Sequence, residues 1–302
     1  MKPPVTTSDS PSADALHKRA IALLFATALF WSLGGVLIKL VPWSPLAISS
    51  ARGFIAAAVL ALVIRPRRLS FSWASLATAL SYAGCTITFV AATKLTTAAN
   101  AILLQHTCPV WVALLGWWLL RERATRADWI AIVATLAGIT LFFADKFRAD
   151  LFLGNIVAII SGVFFGLTAI FMRRQKDSSP ADALILGNLI SGFVGLPALI
   201  HAPFGGTSAT GWGALIALGT VQLALAYFLY ARAIRHVTAL EAVLIPVIEP
   251  ILNPVWVMLA IGEVPAPWAI VGGVIVLGAS VFRAWVAIRK SSPSPRTKAQ
   301  GT

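Results

Sequence analysis

The sequence predicts an all-α integral membrane protein whose ten transmembrane helices form two inverted five-helix repeats. Three observations carry that expectation. Ten apolar stretches, each long enough to cross a bilayer, fill nearly all of the 302-residue chain. Lys and Arg gather in every second connection between them. Landmarks of the first half return in the second. With 58% hydrophobic and 12% charged residues, the composition is not that of an ordinary soluble domain. About 20 apolar residues span a hydrocarbon core as a helix, and in lipid a helix is one of the few structures that satisfies its own backbone.

In order, the spans read as Ala20–Val41, Leu46–Ile64, Phe71–Ala92, Ala99–Leu120, Ala127–Ala144, Leu151–Met172, Asp182–Ile200, Trp212–Ala231, Ala239–Ala260 and Ala266–Val286. Ser44-Pro45 and Ser179-Pro180 each introduce the span that follows. Residues 1–17 are expected as a disordered N-terminal tail rich in Ser, Pro and Thr, and 291–302 as a similar C-terminal tail. Between them lie a first repeat, 18–146, and a second, 147–290. The first apolar run is too long for a signal-peptide core, and no small-residue cleavage site follows it. Cys85 and Cys108 lie inside apolar spans, which argues against a disulfide framework or a metal site.

The net charge of +13 raises the question of nucleic acid, but its placement answers differently. With the N-terminus in the cytoplasm, all of the 24 Lys and Arg except Lys39, Arg52, Lys94, Lys146 and Arg148 fall on the inner side. This is a positive-inside pattern, and the basic loops also suit anionic lipid heads. It predicts an inner-membrane protein with both termini cytoplasmic and an even number of spans. The loops Arg65–Ser70, Arg121–Arg126, Arg173–Ser179 and Arg232–Val237 are expected inside, and Pro42–Pro45, Lys146–Asp150 and His201–Thr210 outside. Trp43, Trp212 and Trp268 mark the outer boundary; Trp73, Trp117, Trp118, Trp129 and Trp285 mark the inner one.

The duplication is read from landmarks in shared order. Thr97-Ala98-Ala99-Asn100-Ala101 parallels Thr238-Ala239-Leu240-Glu241-Ala242, Pro109 falls on Pro250 and Glu122 on Glu263, all at an offset of 141. Phe30-Trp31-Ser32-Leu33 with Lys39 parallels Phe164-Phe165-Gly166-Leu167 with Arg173. Five spans per half is an odd number, so the second half enters from the opposite side. That is the plan of many secondary transporters, with the substrate near the midplane between the halves.

This pattern, with a Pro-containing fourth helix ending in an acidic residue in each half (Pro109-Val110-Trp111 to Glu122; Glu249-Pro250 to Gly262-Glu263), resembles the drug/metabolite transporter superfamily, EamA type, over about residues 18–290. In overall likeness the chain is similar to aromatic amino-acid exporters of the YddG type. The resemblance implies a central cavity lined by the first four helices of each half, with the fifth and tenth at the periphery.

Glu249 stands out among the candidate site residues, because an ionisable side chain at mid-span costs several kcal/mol unless paired, hydrated or protonated. Asn253 follows one turn on, and Pro246, Pro250 and Pro254 free carbonyls along the same helix. Gln105 and His106 occupy the related stretch of the first half, with Cys108 at the position equivalent to Glu249. The expected cavity is lined by Trp31, Tyr82, Gln105, His106, Trp111, Tyr227, Glu249 and Asn253, an apolar pocket with few polar handles. Glu249 and His106 are the groups deep enough to couple protons, and Lys39, Arg52 and Lys94 are candidate exit-path cations. Arg52, the deepest, is expected to have a carbonyl or carboxylate partner. Small residues at Ala183, Gly187, Ser191 and Gly195, and at Gly162 and Gly166, mark close helix contacts.

No phosphate-binding loop and no His-Glu-x-x-His pattern occurs, so neither an ATP-driven pump nor an enzyme is expected. No cofactor or metal is implied. The expected partners are a small-molecule substrate and the lipid bilayer. The reading is a facilitative exporter of aromatic or other neutral amino acids, or similar metabolites. Two alternatives are a proton-coupled exporter of cationic drugs using Glu249 and a carrier of anionic sugar metabolites; the second is disfavoured because no basic pair sits at mid-span.

Overall fold

The computed structural model describes residues 12–66, 69–142, 151–177, 180–246, 248–264 and 267–290. Fourteen α-helices follow in order: α1 (Ala13–Trp31), α2 (Gly34–Leu40), α3 (Pro45–Ile64), α4 (Trp73–Leu95), α5 (Ala98–Gln105), α6 (Cys108–Leu120), α7 (Arg126–Phe142), α8 (Phe152–Arg174), α9 (Pro180–Ile200), α10 (Ala209–Ala217), α11 (Ala226–Ala233), α12 (Ala239–Leu244), α13 (Glu249–Ile261) and α14 (Pro267–Lys290). A π-helical stretch, Leu218–Leu225, joins α10 to α11, and no strand occurs among the described residues.

Among the described residues, eight helical units are long and apolar enough to span a membrane: α1 with α2, α3, α4, α5 with α6, α8, α9, α10 through α11, and α12 with α13. The expected count of ten is therefore carried only in part. The fifth expected span, α7, has 17 residues, and in the tenth, α14, the apolar stretch is Ile270–Arg283. The first helix begins at Ala13 on a Ser12 cap, so residues 13–17 are helical and not part of a disordered tail. Residues 1–11, the tail 291–302 and the whole of the connection expected at Lys146–Asp150 lie outside the described residues.

Where the spans are broken, the sequence supplies the cause. Pro109 has no N–H and its ring displaces the carbonyl of Gln105, so the fourth span divides at His106 and Thr107. Pro246 and Pro250 act alike in the second half, where the chain leaves helix between Leu244 and Glu249. The first span breaks at Ser32-Leu33, where the Ser32 hydroxyl donates to the Leu29 carbonyl at 2.7 Å and accepts from Trp256 Nε1 at 3.1 Å. Both fourth spans end alike too. Arg121 (φ 57°) and Gly262 (φ 77°), one offset of 141 apart, are left-handed terminal residues, and each directly precedes the repeated glutamate. Glycine takes this conformation at no steric cost.

The packing has the pairing that an inverted repeat requires. α1 lies on α11, and α4 lies on α8, so the first helix of each half meets the third of the other. α3 packs on α9, and α7 on α14. These contacts are close because small residues make them. A Cβ on Gly195 of α9 would lie 2.2 Å from the Leu46 carbonyl oxygen of α3, and the Ser50 hydroxyl donates to the Gly192 carbonyl at 2.6 Å in the same crossing. Gly162 and Gly166 of α8 let the broken fourth span approach, the first against Gln105 and the second against Cys108 and Trp111. Exposed Trp73, Trp117, Trp118, Trp129, Trp268 and Trp285 suit an interfacial belt. Trp43 does not: it is buried, stacked edge-on against Phe204 and Trp212, and donates to Thr207 Oγ1 at 2.7 Å.

Candidate functional site

The helix breaks meet at a narrow cavity between the halves. Trp31, Arg52, Cys85, Thr86, Phe89 and Gln105 line it from the first half, and Phe165, Gln222, Leu223, Tyr227 and Glu249 from the second. Its volume is about 20 Å³, room for one or two waters. The walls are largely aromatic. The Trp31 ring lies 5.4 Å from Phe165 at right angles, 4.8 Å from Tyr227 and 5.1 Å from Tyr230.

The polar groups are few and each is placed by a helix. Gln105 ends α5 and donates through Nε2 to Ser161 Oγ at 2.7 Å, and Ser161 donates on to the Cys85 carbonyl at 3.1 Å. Arg52 projects from the middle of α3 and is 1% exposed. It donates to the Thr86 carbonyl at 2.6 Å and to Gln222 Oε1 at 3.4 Å, while its Nε–H has no partner. Glu249 is the first residue of α13, where the N-terminal end of the helix dipole favours a carboxylate. It is 5% exposed, and no described residue donates to its carboxyl group or pairs with it.

Four of the eight expected lining residues, Trp31, Gln105, Tyr227 and Glu249, thus come together. The other four do not. Tyr82 stands behind Tyr227, edge-on at 4.6 Å, and its hydroxyl donates to Asn188 Oδ1 at 3.2 Å. His106 follows the broken α5 as its C-cap residue, with Nδ1 2.8 Å from the Ile102 carbonyl oxygen. Trp111 faces α8 at Gly166, and Asn253 is wedged against Gly35 of α2. Arg52, set apart as an exit-path cation, lines the cavity itself; its expected carbonyl partner is that of Thr86. Lys39 and Lys94 lie toward the far end of the molecule, donating to the Thr96 carbonyl (3.2 Å) and the Val41 carbonyl (2.6 Å). Sequence reading missed Phe89 and Phe165, which carry no local signal that separates them from other apolar-span residues, and Gln222, whose amide inside an apolar span is the same signal that marked Gln105.

Above and below the cavity the same contact occurs twice. On the face that carries the start of α1, Glu122 Oε1 pairs with Arg173 Nε at 2.9 Å, and Oε2 accepts the backbone N–H of Ala239 at 3.0 Å. On the far face, Glu263 Oε2 pairs with Lys39 Nζ at 3.0 Å, and Oε1 accepts the N–H of Ala98 at 2.7 Å. Each glutamate ends the fourth span of one half and caps the start of the fourth span of the other. Each also binds the cation that ends the other half's first span. Both ends of the cavity are latched.

The comparisons agree with this architecture. The EamA-like transporter family matches the chain twice, at residues 18–144 and 152–284. The "Uncharacterized transporter YwfM" of Bacillus subtilis (strain 168) is 27% identical over 270 residues, 85% of this chain and 91% of that protein. The "Pseudopaline exporter CntI" of Pseudomonas aeruginosa (strain PAO1) is 25% identical over 184 residues, 61% of this chain and 64% of that protein. Neither name specifies aromatic amino acids, so the narrower YddG-type likeness gains no support from them. A crystal structure superimposes with a TM-score of 0.71 at 19% identity, covering 90% of this chain and 99% of the other, and shares the fold. A duplicated transporter sequence, a shared fold and a latched cavity between the two copies lead to one statement: the chain belongs to the EamA-like transporter family, whose members are transporters and not enzymes.

Proposed function

We propose that this transporter exports neutral amino acids, aromatic ones foremost, or metabolites like them, across a bacterial inner membrane by facilitated alternating access. The closed cavity between the halves carries the reading: its walls are aromatic and its polar groups few, as suits a small molecule with an apolar side chain. The N-terminal face, with Arg65, Arg121, Arg123, Arg173, Arg174, Lys176, Arg232 and Arg235, is then cytoplasmic. Opening the Glu122 latch admits substrate from that side, and opening the Glu263 latch releases it on the other. In the present state both are shut and the cavity is too small for an amino acid, so the halves must part to load.

Uptake into proteoliposomes tests the reading, with labelled phenylalanine, leucine and a lipophilic cation offered in parallel. Saturable amino-acid flux down its gradient is expected, with no accumulation when a pH gradient is imposed. The free carboxyl of Glu249 favours a second reading, proton-coupled export of cationic drugs; cation uptake driven by a pH gradient and lost in Glu249→Gln would select it.

A further inference from the structure

Arg52 and Glu249 present a charge problem that the fold leaves open. Both are buried, both line one cavity, and they belong to opposite halves. Buried charges ordinarily pair or are neutralised by several hydrogen bonds. Arg52 has two neutral oxygen acceptors, a free Nε–H and no carboxylate partner among the described residues. Glu249 has no partner among them at all. Stability alone would be served by a direct ion pair, and the two do not form one.

We propose that Arg52 and Glu249 bind the two ends of a zwitterion, Arg52 taking the α-carboxylate and Glu249 the α-ammonium group, with the side chain against Trp31, Phe165 and Tyr227. The proposal rests on the amino-acid reading above and adds what selects the substrate within it. A guanidinium presents parallel N–H groups that match a carboxylate; an ammonium donates to a carboxylate at a helix N-terminus without disturbing the helix. Because Arg52 stands on α3 of the first half and Glu249 on α13 of the second, a bound zwitterion cross-links the halves. Substrate therefore draws the parted halves together around itself, and a molecule with only one charged end does so less.

The test uses the full-length protein in proteoliposomes, with flux of labelled phenylalanine competed by unlabelled phenylalanine, phenethylamine (no carboxylate) or 3-phenylpropionate (no amine). In wild type only phenylalanine should compete. Arg52→Gln and Glu249→Gln should each weaken phenylalanine about a hundredfold. In Arg52→Gln, phenethylamine should then compete as well as phenylalanine, and in Glu249→Gln, 3-phenylpropionate should. Arg52→Lys, which keeps the charge, should recover part of the loss. Equal competition by all three ligands in wild type, or variants that weaken phenylalanine with neither analogue drawing level with it, would overturn the proposal, the second pattern being that of a purely structural pair. If wild type carries phenylalanine but both glutamine variants match it, the zwitterion site falls and the amino-acid reading stands. If wild type carries only the lipophilic cation, the reading itself falls and takes the site with it.

Discussion

The two latches are built on one plan and finished differently. On the N-terminal face the cation is Arg173, whose guanidinium also donates to the Ile234 carbonyl at 3.1 Å and the Arg235 carbonyl at 2.9 Å, while Arg174 reaches the Leu119 carbonyl at 2.7 Å. On the far face it is Lys39, a point charge that adds one carbonyl, that of Thr96. The surroundings differ in the same sense. Behind the N-terminal latch, Glu241 and Asp128 both bind the buried Arg283 of α14. At the position equivalent to Glu241 the far side has Asn100, in a neutral cluster with Asn155 and Thr96. Partial burial, then the charges of Arg235 and Arg173, hold His236 below the usual histidine value, so it adds no positive charge to the N-terminal end near neutral pH. Equal geometry with unequal charge means the N-terminal end is the more firmly held of the two.

The largest effect should come from the charges behind the latches. Arg283→Leu leaves Asp128 and Glu241 uncompensated in a buried position and should cost about 3–5 kcal/mol. Asn100→Ala on the far side should cost about 1 kcal/mol, the worth of a neutral hydrogen bond. Thermal unfolding of the purified proteins reads both, and equal losses would remove the asymmetry. Next come the latches themselves. Cys85 lines the cavity, so in a Cys108→Ser background an impermeant thiol reagent reports which end is open. Glu122→Gln should raise labelling from the N-terminal face and Glu263→Gln from the far face. Each loses a partly exposed ion pair and weakens one helix cap, about 1 kcal/mol together, hence a several-fold change. Labelling that rises from the same face in both variants would break the two-gate scheme. The smallest effect is expected from Lys39→Arg, which gives the far latch the fork of its counterpart. Labelling from the far face should fall, by no more than a few tenths of a kcal/mol in the opening equilibrium. A rise would show that charge geometry is not what separates the two ends.

The apolar spans, the basic loops, the Pro109–Pro250 breaks and the repeated Glu122 and Glu263 are all local features of the chain, and each is visible in the sequence. What the glutamates bind is not, because both reach across to the other half. The site divides in the same way. Position along a span gives depth, so Trp31, Gln105, Tyr227 and Glu249 could be placed at the right level. So could Tyr82, His106, Trp111 and Asn253, which turn toward α9, their own helix, α8 and α2 respectively. Which way a side chain points requires an apolar periodicity, and a helix that is hydrophobic all round carries little. Arg52 was legible as an ionisable residue needing a partner. That it shares a cavity with Glu249 depends on the α3–α9 crossing and on the break before α13, which only the folded chain brings together.

The cross-capping of the fourth spans also bears on why the two halves share one polypeptide. Two separate copies of a single five-helix unit, assembled antiparallel about a two-fold axis in the membrane plane, would be forced by symmetry to have identical mouths. Joined in one chain, each copy can take its own substitutions, and here one mouth holds Arg173 with Glu241 where the other holds Lys39 with Asn100. Covalent linkage is what permits this machine to have a front and a back.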